Sequence, residues 1–274
     1  MRRKIIVLSL AVMMSLAAVP QTFGAYSPAQ KSDDSGDRDR DLPERDEFRQ
    51  SYQLSPGAKV EVRGINGAVD IDTAAGTTAE VYIVRSARTR DDLNYHKIIV
   101  EATATGLVVR GEKDSERERG SRDRQVKQRV TLKLPRQVDL GVSGVNGRVN
   151  VGEIEGPVRL SGINGSANVA QAVGYSELSG INGHVRVTIS RLSEQGIRVS
   201  GINGGVELRF TDDVNADLDV TGINGPVNTD LPNVTLTGKL NRQDVHAKIG
   251  SGGSPIRVNG INGSVKLTRA GSAG

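Results

Sequence analysis

Ser161-Gly162-Ile163-Asn164-Gly165 reads SGING, and the same five letters return at 179–183 and at 200–204. Close variants are SGVNG at 143–147, TGING at 221–225, NGING at 259–263 and RGING at 63–67. A Gly-x-x-Gly segment can cradle phosphate, hold a catalytic turn or bend a chain. The flanks decide between these. Two residues before the motif's first glycine stand Val62, Val142, Leu160, Leu178, Val199, Val220 and Val258. On the far side Val69, Val149, Ala167, Val185, Val206, Val227 and Val265 hold one position, and Ile71, Val151, Val169, Val187, Leu208 and Leu267 the next but one. The residues between are polar and variable. Apolar residues at every second position on both sides predict two half-buried strands per copy, joined by a bend.

The first glycines are spaced by 80, 18, 18, 21, 21 and 38 residues. The last interval is twice 19, and Val234-Thr-Leu236-Thr237-Gly238 reads as a degenerate copy within it that has lost its Ile-Asn-Gly. Two architectures suit such a unit. Asn-Gly could make a two-residue type I′ turn, each copy being a hairpin with Val199 opposite Leu208. That would turn the motif's Ile or Val outward in every copy. Alternatively the motif is a corner of a parallel β-solenoid with coils of about 18–21 residues, stacked at strand spacing. The Ile then points inward, the glycines permit the bend, and the Asn side chains stack. The pattern favours the solenoid. Its corners would be Gly64, Asn66 and Gly67; Gly144, Asn146 and Gly147; Gly162, Asn164 and Gly165; Gly180, Asn182 and Gly183; Gly201, Asn203 and Gly204; Gly222, Asn224 and Gly225; and Gly260, Asn262 and Gly263.

If coils stack in chain order, the outward columns should complement one another. Ser143, Ser161, Ser179, Ser200, Thr221, Thr237 and Asn259 would form a polar ladder. Arg159, Glu177, Arg198 and Asp219 would alternate in charge, with Arg257 further on. One coil buries too few aliphatic side chains to offset the entropy of ordering itself, so the array must fold cooperatively and cap its ends. Residues 48–137 are expected to form an irregular β-rich start with strands at 79–86, 97–102, 107–110 and 126–134. A charged mobile loop at 112–124 (EKDSERERGSRDR) separates the last two. Regular coils would fill 138–269, in one all-β domain spanning 48–269, and 270–274 would be a flexible tail.

Before that domain, Arg2-Arg3-Lys4 and an apolar run ending at Val19 read as a signal peptide over 1–25, cut near Gly24 or Ala25. The run is shorter than a membrane span requires, so no transmembrane span is expected after cleavage, the alternative being an uncleaved anchor. Residues 26–47 are polar and almost free of apolar side chains, which predicts a disordered linker. The chain has no cysteine, which excludes disulfides and a lipid-modified cysteine anchor. Losing Arg2, Arg3 and Lys4 lowers the formal charge from +4 to +1, and aromatic residues make up only 3%. Neither the field nor the stacking platforms of a nucleic-acid binder are present.

Reactive constellations are sparse. His96, His184 and His246 lie in unrelated contexts without metal spacing. No Gly-x-Ser-x-Gly elbow occurs, and each motif precedes a strand, whereas phosphate cradles precede a helix. The column Asp70, Asn150, Asn168, Arg186, Glu207, Asn228, Lys266 is too mixed to name a site. Asp212, Asp213, Asn215, Asp217 and Asp219 are the best calcium candidate, set against a plain polar strand edge. No cofactor or metal is assigned.

With its G-[I/V]-N-G-x-[V/A] repeats, the chain resembles the bacterial putative-adhesin family of β-strand-repeat proteins marked by a Gly-Ile-Asn motif. The resemblance covers about residues 48–269. It implies a right-handed β-solenoid of the cell envelope with no catalytic residues to carry over. The expected function is a non-enzymatic binding or adhesion module, exported to the periplasm or cell surface, whose partner is a surface glycan or another envelope protein. The alternatives are a structural or signalling scaffold docking an envelope protein, and a polysaccharide-active β-helix enzyme with clustered carboxylates or cations on one face.

Overall fold

The structure is a computed structural model that describes residues 42–114, 126–171, 174–211, 214–236 and 244–270. The expected signal peptide, residues 26–41 of the expected linker, most of the 112–124 loop, Thr237 and Gly238, and residues 271–274 lie outside them. The chain is all-β, arranged as one ten-stranded and one eleven-stranded sheet, each mixing parallel and antiparallel pairs and neither closed into a barrel. The apolar columns of the two sheets face each other and merge into one continuous core.

The central part is built from four copies of the same pair of strands. These are β8 (Val138–Ser143) with β9 (Val149–Ile154), β10 (Val158–Asn164) with β11 (Ala167–Gln171), β12 (Ser176–Asn182) with β13 (Val185–Ile189), and β14 (Ile197–Asn203) with β15 (Val206–Phe210). In each copy the strand before the bend joins the eleven-stranded sheet and the strand after it joins the ten-stranded sheet. Partners across the bend therefore never pair with each other, which overturns the hairpin reading. Instead, Leu160 lies beside Leu178 and then Val199, in parallel register, and Val169 beside Val187 and then Leu208. The seven motif aliphatics, Ile65, Val145, Ile163, Ile181, Ile202, Ile223 and Ile261, are 1–4% exposed. A hairpin would have left them in water; crossing from one sheet to the other turns them into the core.

The N-terminal part comprises β1 (Glu44–Gln53), β2 (Ala58–Arg63), β3 (Gly67–Ala74), β4 (Thr78–Ala87), helix α1 (Arg90–Tyr95), β5 (His96–Thr103), β6 (Gly106–Lys113) and β7 (Val126–Pro135). β4 to β7 enclose the four expected strand segments. The expected linker ends too late, however: residues 44–47 begin β1, which pairs antiparallel with β4 along all its length. Arg85 accounts for this order, since its guanidinium donates to the Asp46 carboxylate and to the carbonyls of Leu93 (3.0 Å) and His96 (2.6 Å). Tyr82 Oη adds a hydrogen bond to Glu47 (2.9 Å). Low hydrophobicity misled the sequence reading because polar partners hold this strand.

The C-terminal part holds β16 (Ala216–Ile223), β17 (Val227–Thr229), β18 (Val234–Leu236), β19 (Val245–Ile249), β20 (Ser254–Asn262) and β21 (Val265–Arg269). Here the stack departs from chain order. β16 is not next to β14; β20 pairs parallel with β14 on one side and with β16 on the other. β21 likewise lies between β15 and β17. The chain skips one place, lays antiparallel β19 and β18 outside, and returns to fill the gap. The degenerate copy is corrected by the same topology: its strand portion, β18, runs antiparallel to β19 and is not a stacked repeat. The N-terminal end uses the same device, because β6 and β7 return between β5 and β2 and between β4 and β3.

Candidate binding faces

The sequence-predicted residues gather along the line where the chain crosses between sheets. Gly64, Gly144, Gly162, Gly180, Gly201, Gly222 and Gly260 all have φ between 59° and 68°. This left-handed region disfavours any residue with a Cβ. The second glycines are required for another reason. A Cβ on Gly165 would stand 2.2 Å from the Gly147 carbonyl oxygen, and Gly67, Gly147, Gly183, Gly204, Gly225 and Gly263 are equally crowded, at 1.7–2.2 Å. Backbones at strand spacing leave no room there.

The seven asparagines form one directional ladder. Asn146 Nδ2 donates to Asn66 Oδ1 (3.1 Å), Asn164 to Asn146 (3.1 Å), Asn182 to Asn164 (3.3 Å) and Asn203 to Asn182 (3.1 Å). Asn262 then donates to Asn203 (3.1 Å) and Asn224 to Asn262 (3.2 Å), so the ladder follows spatial order and not chain order. Asn66 Nδ2 ends it on the Val126 carbonyl (3.4 Å). The expected serine ladder does not form: the side chains of Ser143, Ser161, Ser179 and Ser200 make no hydrogen bond to one another among the described residues. An amide carries a donor and an acceptor on separate atoms and so spans the ~4.8 Å between strands, a reach that a single hydroxyl oxygen lacks when identical side chains repeat in register.

The outer face of the eleven-stranded sheet carries the charge column. Its spatial order is Arg159, Glu177, Arg198, Arg257, Asp219, His246, so Arg198 faces Arg257 and not Asp219 as chain order had suggested. Arg159 pairs with Asp139 (2.6 Å). Asp219 lies 3.1 Å from His246 Nδ1. Gly141 leaves a gap in this face between Glu61 and Arg159. Glu61 is held below the usual carboxylate range chiefly by the hydrogen bond from Lys59, partly opposed by burial.

The outer face of the ten-stranded sheet begins with a second amide ladder. Asn150 Nδ2 donates to Asp70 (2.7 Å) and Asn168 Nδ2 to Asn150 (3.0 Å). The same row then reaches Arg186, Glu207 and Lys266. Glu207 Oε2 accepts from Arg186 Nε (2.7 Å) and Oε1 from Arg209 Nε (2.8 Å), with His184 Nε2 at 3.8 Å. Burial alone would raise the Glu207 pKa, but the two arginines overcome it and lower it from 4.5 to about 2. A carboxylate held ionised, with both oxygens engaged, is no proton donor near neutral pH. What this cluster supplies is two fixed guanidinium groups at the surface.

Of the calcium candidate, Asp212 and Asp213 lie outside the described residues. Asn215 Oδ1 accepts from the Ser251 N–H (2.9 Å) and Asp217 Oδ2 from the Gly253 N–H (3.3 Å), so both cap the loop before β20. Among the described residues no three His, Asp or Glu side chains group as metal ligands. His96 and His246 lie in the eleven-stranded sheet and His184 precedes β13, so the fold brings no two histidines together.

Sequence reasoning missed the Glu207 cluster although Arg186, Glu207 and Lys266 stood in one column. In chain order Asn228 separates Glu207 from Lys266. The legible signal was Arg209, two residues after Glu207 and therefore on the same face of its strand.

Among the described residues no helix is long and apolar enough to cross a membrane. No family model and no curated protein sequence matches the chain. Solved structures similar to it include a putative cell adhesion protein of Clostridium sporogenes, at 14% identity and a TM-score of 0.36, covering 82% of this chain and 100% of that one. A putative adhesin of Bacteroides fragilis is similar at 11% identity and a TM-score of 0.32, covering 83% of this chain and 99% of that one.

Proposed function

We propose that the chain is an exported, non-enzymatic binding module of the cell envelope, adhesion-like in role, built as a right-handed β-solenoid. In this reading the Gly-Ile-Asn-Gly motifs are the corners of stacked coils, residues 48–269 form one domain, and the exported protein acts in the periplasm or at the cell surface. The observation that carries the reading is the division of labour within each copy. Inner columns and crossing glycines repeat from copy to copy, whereas the outward side chains between them vary. Parallel in-register pairing holds those variable side chains at strand spacing on a rigid support. Such a surface presents recognition groups at little further entropic cost.

The test uses labelled full-length protein added to whole bacterial and host cells, alongside fractionation of the producing cell. The expected results are saturable binding and recovery of the protein from the envelope or the medium. Binding no greater than that of an unrelated β-rich protein of similar charge would remove the proposal.

A further inference from the structure

We propose that the outer face of the ten-stranded sheet at β13, β15 and β21 binds an acidic polysaccharide, whose anionic oxygens are held by Arg186 and Arg209 with Lys266 beside them. The inference rests on the binding-module reading above and names its ligand class. It begins with how Glu207 is used. Each of its oxygens accepts from the Nε of one arginine, and neither oxygen is hydrogen-bonded to an Nη group. Those Nη groups make no hydrogen bond among the described residues, and the two side chains are 41% and 38% exposed. Each guanidinium is thus fixed through Nε, with its Nη groups open to a ligand. An arginine whose rotamer is already fixed loses little further entropy on taking an oxyanion.

The field agrees with the geometry. Glu207 is the one carboxylate on β11, β13, β15, β17 and β21. Around it stand Arg186, Arg209 and, directly opposite in register, Lys266, which is exposed and makes no ion pair among the described residues. Three cations about one anion leave a local charge of +2. Two other groups face the cluster: His184, 3.8 Å from Glu207, and Asp230 beyond the end of β17, which accepts from the Arg269 N–H at 3.2 Å. Asp70 and Asp72 lie three strands from β13, roughly 14 Å away at strand spacing, beyond the screening length at physiological salt. Among the described residues the cations of these strands are therefore concentrated at this end of the sheet.

Chemistry narrows the ligand. Among the described residues β13, β15 and β21 carry no exposed aromatic ring, Phe210 being buried, so this part of the face lacks the platform that neutral sugars or bases stack on. A duplex would need a wider positive field than three cations about one carboxylate provide. A linear polysaccharide with sulfate or carboxylate groups suits a flat face with a few aimed donors.

The experiment titrates the full chain against dextran sulfate, polygalacturonate, neutral dextran and duplex DNA at low and physiological salt. Binding is expected to dextran sulfate, polygalacturonate or both, weakening as salt rises, with none to neutral dextran. Preference between the two polymers identifies sulfate ester or carboxylate as the group recognised. The double variant Arg186→Gln/Arg209→Gln should lose affinity about tenfold or more. Since it strips partners from Glu207, Lys266→Gln provides a second reading that removes one cation and adds no competing carboxylate, with an expected loss of roughly threefold or more. Arg159→Gln, on the opposite sheet, should change nothing. Failure to bind either acidic polymer, tighter binding to DNA, or an equal loss in Arg159→Gln overturns the site. Labelled protein that still adheres to cells after Arg186→Gln/Arg209→Gln would sink this site and leave the adhesion reading standing. Polymer binding that depends on these arginines, without any adhesion to cells, would do the reverse.

Discussion

At the scale of single residues, the two glycines of each motif look interchangeable in sequence and are not. Gly180 sits at φ 59° with the nearest neighbouring backbone 3.6 Å from where a Cβ would stand. Gly183 has the Gly165 carbonyl oxygen 2.2 Å from that point, on the side where the Gly165 N–H donates to the Asn182 carbonyl (3.0 Å). Gly180→Ala should therefore cost about 1–2 kcal/mol in backbone strain. Gly183→Ala must push two copies apart, lengthening that hydrogen bond and the Asn182 ladder contacts, and should cost roughly 3 kcal/mol or more. Paired thermal melts of the two variants check this; equal melting temperatures would contradict it. The Asn ladder is a smaller term per residue, because its amides are exposed and each exchanges water for a neighbour. Its value is cumulative, through seven copies in one register.

At the scale of elements, Glu207 fastens β13 to β15 from outside the core through Arg186, while Arg209 closes the contact within β15. Its pKa is lower in the folded chain than in the unfolded one, so the stability it contributes is present in full above pH 4.5 and is lost as pH falls through about 2. Glu207→Gln should lower stability at pH 7 by roughly 2–3 kcal/mol. The gap between the variant and the parent should then close as pH is taken from 4.5 toward 2. Denaturant melts across that range test the sign; a gap that stays constant would mean that packing, and not charge, holds these strands. β1 shows the same principle at the other end, where Arg85 and Tyr82 order a strand that its own hydrophobicity would not.

At the scale of the whole molecule, the last repeat is an interior one. Ile256, Val258, Ile261, Val265 and Leu267 are 0–1% exposed because β20 and β21 are covered on both sides. Removing residues 254–274 would not shorten the stack by one terminal unit; it would take the strands that join β14 to β16 and β15 to β17. Such a truncation should abolish the cooperative melt, as followed by circular dichroism, instead of lowering the midpoint by a few degrees. A truncated chain with one sharp transition near the parent's would show that β16 can dock directly on β14. The skip at each end places antiparallel strands outermost in the eleven-stranded sheet, β5 at one end and β18 with β19 at the other. The chain thereby supplies its own ends to a stack of parallel strands.

Local chemistry was legible in the sequence because it repeats. Period-two burial, the glycines at positive φ and the inward Ile recur in seven copies, and each follows from sterics or water exclusion acting within a few residues. The order of the copies was not legible, since equivalent strands present the same inner column to any neighbour. Val220 and Val258 would pack equally well against Val199. Only the tertiary structure chose Val258. That choice set Arg257 beside Arg198 and brought Lys266 to Glu207, a neighbour that chain order had assigned to Asn228.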